Sequence, residues 1–106
     1  MIIYNVTVNI DSSIHDEWVN WMRTVHIPDV LKTGCFHEAR FTRVVVDEEM
    51  GITYSTQYLC DDEAVLQNYA DNFAPALQKD FKDRYEGKFN VFRTMLEVVD
   101  VLVVNR

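Results

Sequence analysis

The chain has 106 residues, which is enough for one domain with a single hydrophobic core. Its 17 acidic residues outnumber its 10 basic residues and give a formal net charge of -7. Nucleic acids and anionic membranes bind basic surfaces, so we expect neither as a partner. The sequence has two cysteines and starts without a basic, apolar signal segment, so we expect a cytoplasmic protein with reduced thiols.

A strand and a helix are predicted at the N-terminal end. Apolar residues alternate with polar ones from Ile2 to Ile10, as in a half-buried strand. Residues 11–13 then offer side chains suited to a helix N-terminus, and apolar residues recur behind them at helical spacing. Those apolar residues are Ile14, Trp18, Trp21, Met22 and Val25. Because Pro28 lacks an N–H, we predict a break or kink near His26 and a short turn ending at Gly34.

The middle of the chain predicts a β-hairpin. Residues 36–46 and 52–60 have the composition of strands, and only the acidic turn 47–51 separates them. A connection this short joins antiparallel strands, because parallel strands need a long crossover.

A second helix and a last strand complete the chain. Asp61 and Asp62 suit a helix start, Pro75 should kink that helix and Gly87 should end it. Its apolar residues lie three or four positions apart, at Leu66, Tyr69, Phe73, Leu77, Phe81 and Tyr85. Residues 89–98 predict a fourth strand, which the apolar residues 99–104 extend or follow as a fifth.

The predicted order βαββαβ is an α+β, ferredoxin-like arrangement, in which an antiparallel sheet carries two helices on one face. We assign residues 1–98 to this single domain and residues 99–106 to a C-terminal strand extension that contacts a dimer partner. Matching polar residues across the hairpin predicts a polar sheet face with Glu38, Arg40, Thr42, Ser55, Gln57, Asn5 and Thr7. The face toward the helices should hold Tyr4, Val6, Val8, Phe41, Val45, Tyr54, Tyr58, Phe92 and Leu96. A slip of one residue in register would exchange the two faces.

The apolar C-terminal segment, residues 99–104, predicts a homodimer. An exposed apolar strand at the edge of a monomer promotes aggregation, whereas a partner subunit would satisfy its backbone groups. We therefore expect a two-fold dimer with facing sheets, in which this segment crosses between subunits.

Five segments of the sequence resemble a bacterial family known as domain of unknown function 4286. They read MIIYNVTVNID, W..WM...HIPDVL.TG.F, DEEMG.TYS.QY, FAPALQ..F..RY.GKF and FRT.LEVV. The resemblance covers residues 1–99 and implies a dimeric α/β barrel formed by two ferredoxin-like subunits. The family has no assigned activity, so it implies no catalytic residue. Enzymes of the wider barrel superfamily use a cleft between sheet and helices, which implies pocket candidates at Trp18, His26, Tyr54, Tyr58, Tyr69 and Phe73.

His26 is the candidate catalytic residue. It lies at the margin of the apolar stripe of the first helix, and an imidazole with a pKa near ~6.5 is suited to general-base catalysis. The alternative is structural, because a histidine at a helix end can hydrogen-bond the last free carbonyls.

The aromatic residues and the polar sheet face are the candidate ligand-binding groups. Trp18, Tyr54, Tyr58, Tyr69 and Phe73 either form a pocket for a flat ligand or belong to the core. Asn5, Arg40 and Gln57, together with Thr7 and Arg93, either line a wet dimer interface or bind a small anion, with Arg40 as the charge partner.

The sequence predicts no metal site and no cofactor. His15, His26 and His37 lack the spacing that directs two ligands to one ion, and no nucleotide-binding or serine-hydrolase motif is present. The favoured interpretation is a non-catalytic homodimer that binds a small ligand or another protein. The alternative is a small cofactor-free enzyme, similar to monooxygenases or isomerases, with His26 as its base.

Overall fold

The computed structural model describes residues 1–105, which contain four strands and four α-helices. The strands are β1 (Ile2–Ile10), β2 (Glu38–Arg43), β3 (Ile52–Cys60) and β4 (Phe89–Glu97). The α-helices are α1 (His15–Trp21), α2 (Ile27–Lys32), α3 (Glu63–Asn72) and α4 (Ala74–Tyr85). A 3-10 turn, Ser12–Ile14, precedes α1, and a π-helical segment, Met22–His26, joins α1 to α2.

The four strands form one antiparallel sheet in the order β2-β3-β1-β4. Tyr4 of β1 lies opposite Tyr58 of β3 and Met95 of β4, so these three residues share a face of the sheet. Tyr4 also contacts the ring of Tyr69 in α3, at 5.9 Å between ring centroids, which shows that the helices cover this face. The structure therefore confirms the predicted α+β, ferredoxin-like subunit.

The sequence predicted a break or kink near His26; the helical region continues through His26 without a break. The helix widens into the π-helical segment, where the N–H of Ile27 donates to the carbonyl of Met22 five residues earlier. Pro28 then lies in the first turn of α2, a position that tolerates its missing N–H. The predicted end at Gly34 is correct, because this glycine follows α2 with φ +78°.

The second helical region follows the prediction closely. The carboxylate of Asp62 accepts a hydrogen bond from the N–H of Val65 at 2.9 Å and so caps α3. Phe73 leaves helical geometry at φ −123°, and Pro75 lies in the first turn of α4. The kink predicted at this proline thus separates α3 from α4.

The predicted polar face is correct for the first three strands, but β4 was assigned to the wrong face. Phe92 and Leu96 pair with Thr7 and Ile3, whose side chains point away from the helices. Phe92 is 64% exposed in the single subunit. Val45 was also predicted to face the helices, yet it lies beyond the end of β2 and is exposed. We call the sheet surface opposite the helices the outer face.

The C-terminal segment forms no strand in the part of the chain that the structure describes. β4 ends at Glu97, one residue before the predicted end, and residues 99–105 are exposed. The predicted strand extension is therefore not formed in residues 99–105, and Arg106 lies outside the described residues. The predicted contact of this segment with a partner stays a prediction.

None of the helices in residues 1–105 is long and apolar enough to span a membrane. The core lies between sheet and helices, and Trp18, Ile10, Val30 and Cys60 are its largest fully buried side chains.

Candidate functional site

A cavity of about 60 Å³, which we call the inner cavity, lies between the sheet and the helices. All three long strands and the helical layer contribute to its walls. Thr56 and Tyr58 reach it from β3, Met22 and His26 from the π-helical segment, and Tyr69 from α3. Helices rarely widen to π geometry, and they often do so at functional sites.

His26 is held in the wall of this cavity by two aromatic rings. Its imidazole stacks on Trp21 at 5.0 Å between centroids and meets the edge of Phe81 at 5.4 Å. Burial lowers the pKa of His26 from 6.5 to about 4, against the opposing influence of Asp29 and Asp80. The ring is therefore neutral at pH 7 and accepts protons weakly.

Three tyrosines, Tyr4, Tyr58 and Tyr69, line the inner cavity. Burial raises the pKa of Tyr58 and Tyr69 far above the ordinary value of 10, and it also raises the pKa of Tyr4. Arg93 opposes the rise at Tyr4 and Tyr69, and Gln78 opposes it at Tyr4. All three hydroxyls thus stay protonated at neutral pH and are available to donate hydrogen bonds to a ligand.

A second concave region of about 600 Å³, which we call the outer groove, opens beside the inner cavity. Its walls come from α3, α4 and the edge strand β4, and they include the apolar residues Leu66, Ala70, Ala74 and Met95. Four residues line both spaces and therefore form the partition between them: Tyr4, Tyr69, Gln78 and Arg93.

Arg93 lies on the helix-facing side of β4, not on the polar face to which the sequence pattern assigned it. It pairs with Val6, and the neighbouring inward-facing residue of β4 is Val91, which lies opposite Val8. Phe89, Val91 and Arg93 lie two residues apart and therefore share one face of β4. The apolar side chains of Phe89 and Val91 were the sequence signal that could have placed Arg93 toward the helices. This signal was obscured because Phe92 and Leu96 make the other face of β4 equally apolar.

The structure brings together only His26, Tyr58 and Tyr69 of the predicted pocket residues. Trp18 is fully buried and meets Tyr54 edge to face at 5.2 Å between centroids, so it belongs to the core. Tyr54 contacts His15, whose Nε2 lies 2.8 Å from the tyrosine hydroxyl. Phe73 lies in the junction between α3 and α4 and packs against the core. Trp18, Tyr54 and Phe73 therefore do not line the inner cavity or the outer groove.

The predicted polar ligand residues lie on the outer face. Asn5 accepts a hydrogen bond from the hydroxyl of Ser55. Arg40 and Gln57 pair across β2 and β3 and line a depression of about 140 Å³ that also contains Glu38. This carboxylate next to Arg40 makes the depression a poor anion site, and the sheet separates it from His26.

Of the four residues of the partition, the sequence analysis named Tyr69 as a pocket candidate and Arg93 as an anion-binding candidate on the other face, and it missed Tyr4 and Gln78 as site residues. Gln78 is exposed on α4 and had no distinguishing sequence signal. Within residues 1–105, no three histidine, cysteine or acidic side chains come together as a metal site.

The fold and cleft define a ferredoxin-like α+β protein with a concave site between its sheet and its helices. The chain belongs to the family described as Domain of unknown function (DUF4286), whose model matches residues 1–99. This confirms the family suggested by the sequence segments. A search of curated proteins finds no match.

Solved structures share the fold at low sequence identity. HapK from Hahella chejuensis has a TM-score of 0.74 at 10% identity, and all of both chains is covered. A dimeric ferredoxin-like protein from an uncultured marine organism has a TM-score of 0.73 at 12% identity, covering 97% of this chain and 98% of that one. A MhuD mutant with two manganese protoporphyrin IX molecules per active site has a TM-score of 0.72 at 15% identity, covering 98% of this chain and 100% of that one. These likenesses establish the fold alone.

Proposed function

We propose that this protein binds a small molecule in the outer groove and works as a homodimer. The observation that carries the binding proposal is the outer groove itself, an apolar space that meets the inner cavity at a partition of polar side chains. A few polar groups within an apolar concave surface are the usual composition of a ligand site.

The two volumes indicate how a ligand would lie. Ligand pockets commonly measure about 300–1,000 Å³, and the outer groove falls in this range at about 600 Å³. An engineered cavity that binds benzene has about 150 Å³, whereas the inner cavity has about 60 Å³. The body of the ligand therefore occupies the groove, and only a small substituent or water enters the inner cavity.

A groove-filling substitution tests this proposal. Ala70 lines the outer groove, whereas Ala64 is an exposed residue of the same helix that lies outside it. We expect Ala70→Trp to abolish the binding of 2-naphthamide, a flat neutral probe, because the indole fills the space. Ala64→Trp is the matched control and should bind like the wild type.

Binding is measured by NMR, from shifts of backbone amide resonances during titration with the probe. The expected shifts in the wild type cluster at Tyr69, Ala70 and Met95. If neither 2-naphthamide nor its carboxylate analogue 2-naphthoate shifts a resonance of the groove, or if both tryptophan variants bind 2-naphthamide equally, the groove is not a ligand site.

The alternative function is a cofactor-free enzyme with His26 as general base, and its support is that His26 lines the inner cavity. A catalytic base works best with a pKa near the working pH, whereas burial holds the pKa of His26 at about 4. We therefore place binding ahead of catalysis. A pH titration of the His26 ring by NMR, with saturating 2-naphthamide present, separates binding from catalysis. A pKa of His26 raised toward neutrality would favour the enzyme.

The outer face supports the homodimer. Ile3, Leu59, Phe92 and Leu96 place apolar side chains on this surface beside the polar residues, and Phe92 is 64% exposed. A surface of this kind is typical of protein interfaces. The exposed residues 99–104 add a second apolar region that a partner subunit would cover, and two similar solved structures are described as dimeric.

Light scattering tests the dimer at micromolar concentration. We expect a dimer mass for the wild type and a monomer mass for Phe92→Asp, because the new charge would be buried between two sheets. Val45→Asp is the matched control, since Val45 is exposed outside the sheet. Removal of residues 99–106 should weaken the dimer. A monomeric wild type, or a dimer that survives both Phe92→Asp and the truncation, would contradict the proposal.

A further inference from the structure

Arg93 is a cation without an acidic partner in the part of the chain that the structure describes. The lysine and arginine ion pairs found there join Lys32 to Asp29, Lys79 to Asp83 and Arg84 to Glu17. The side chain that acts on Tyr4 together with Arg93 is the neutral amide of Gln78. Among residues 1–105, Arg23, Arg40 and Arg43 also lack an ion pair, and Arg93 differs from them because it lines both the inner cavity and the outer groove.

The position of the Arg93 guanidinium allows it to bind a charged group of a ligand in the outer groove. Arg93 belongs to the partition, so it faces both the inner cavity and the outer groove. Arg93 is an exposed residue, and the apolar walls beside it focus its electrostatic field on a molecule that lies in the groove. A guanidinium binds a carboxylate through two parallel hydrogen bonds, which fixes the orientation of the ligand as well as its charge.

The remaining groove residues limit the charge that a ligand can carry. Leu66, Ala70, Ala74 and Met95 offer apolar contact, and the small alanines leave room for a flat ring. Glu63 is the one carboxylate that lines the outer groove within residues 1–105. It would repel a second negative charge placed near the α3 side of the groove.

We infer that the outer groove binds a flat, apolar monocarboxylate, with its carboxylate on Arg93 and its ring against α3 and α4. This inference rests on the proposed ligand-binding function and adds the chemical class of the ligand. The carboxylate lies at the partition, where Gln78 and the hydroxyl of Tyr4 are available as further hydrogen-bond donors. The ring lies outward in the groove, where the available volume is about 600 Å³.

The test compares three probes of similar shape and different charge by NMR titration of the full chain. They are 2-naphthoate, neutral 2-naphthamide and naphthalene-2,6-dicarboxylate. We expect 2-naphthoate to bind about tenfold more tightly than the amide, because it adds a charge-assisted pair of hydrogen bonds. The dicarboxylate should bind more weakly than the monocarboxylate because of Glu63.

Substitutions then assign the preference to Arg93. Arg93→Gln should weaken 2-naphthoate binding about tenfold and so remove its preference over 2-naphthamide, whereas Arg93→Lys should restore part of that preference. Arg43→Gln is the matched control, because Arg43 is an exposed arginine of β2 at the opposite edge of the sheet. Circular dichroism melting curves check that each variant is folded.

The outcomes separate this inference from the function on which it rests. If 2-naphthoate and 2-naphthamide shift groove resonances with equal affinity, the groove remains a ligand site and the anion preference is refuted. The same conclusion follows if Arg93→Gln and Arg43→Gln change the affinity for 2-naphthoate equally. If neither 2-naphthoate nor 2-naphthamide shifts groove resonances in the wild type, the ligand site and the inference are both refuted.

Discussion

The pH dependence of folding stability tests whether His26 is buried as a neutral ring. Burial beside Trp21 and Phe81 lowers the pKa of this ring to about 4 in the folded chain, whereas an unfolded histidine titrates near ~6.5. Between these two values the unfolded chain binds more protons than the folded chain. The contribution of His26 to the free energy of unfolding is therefore complete above pH ~6.5 and is lost as the pH falls toward ~4.

The size of the loss follows from the two pKa values. Each pH unit inside this window changes the free energy of unfolding by at most about 1.4 kcal/mol. The ring alone therefore lowers stability by about 2 kcal/mol between pH ~7.5 and pH ~5, and by about 3 kcal/mol when protonation is complete. Domains of this kind are stable by about 5–15 kcal/mol, so the change is large enough to measure.

Urea unfolding of the wild type and of His26→Gln measures this contribution at pH 7.5, 6 and 5. The other titrating groups are present in both proteins, so the difference between the two stabilities isolates His26. At pH 7.5 the variant should be less stable, because it loses the stacking on Trp21. This deficit should shrink by about 2 kcal/mol by pH ~5. A deficit that stays constant over this range would refute the burial of a neutral ring.

Two further substitutions test the turn before β3 and the N-terminal cap of α3. Gly51→Ala should destabilise the protein by about 1–3 kcal/mol in urea unfolding, because φ is +69° and the new Cβ would lie 2.8 Å from the carbonyl oxygen of Ile10. Gly34→Ala is its control, with φ +78° but open space around the Cβ, and should cost less. Asp62→Ala should cost about 1 kcal/mol, because the N–H of Val65 loses its cap; an unchanged unfolding midpoint would contradict this role.

The sequence predicted the elements whose local pattern agrees with their tertiary environment. β1 alternates from Tyr4 to Ile10, and β3 was predicted with its observed limits, Ile52–Cys60. Asp62, Pro75 and Gly87 marked the limits of the second helical region because each restricts the backbone locally. Such signals act over a few residues, so no tertiary information is needed to interpret them.

β4 was assigned to the wrong face because both of its faces carry apolar residues. Phe89 and Val91 face the helices, whereas Phe92 and Leu96 lie on the outer face. Alternation identifies a face only when one side is polar. The π-helical segment was missed for a related reason, since Met22 and His26 would share a helix face in an α-helix as well, and Pro28 suggested a break instead.

The choice among aromatic residues in the predicted site depended on packing that sequence spacing does not describe. Trp18 and Tyr58 are both buried and aromatic, yet only Tyr58 lines the inner cavity. The difference lies in the opposing side chains, because Phe41 and Tyr54 fill the space around Trp18. A local pattern reports that a residue is buried, but the volumes across the core decide where a cavity remains.

The edge strand β4 connects the two proposed roles of the protein. Its inward side carries Arg93 at the partition, and its outward side carries Phe92 and Leu96 on the proposed dimer surface. Adjacent residues of a strand point to opposite faces, so a substitution at Arg93 changes the groove without placing a side chain on the dimer surface. Arg93→Gln should therefore weaken 2-naphthoate binding at an unchanged molecular mass, whereas Phe92→Asp should change the mass. Loss of both properties in either variant would mean that the strand itself is displaced.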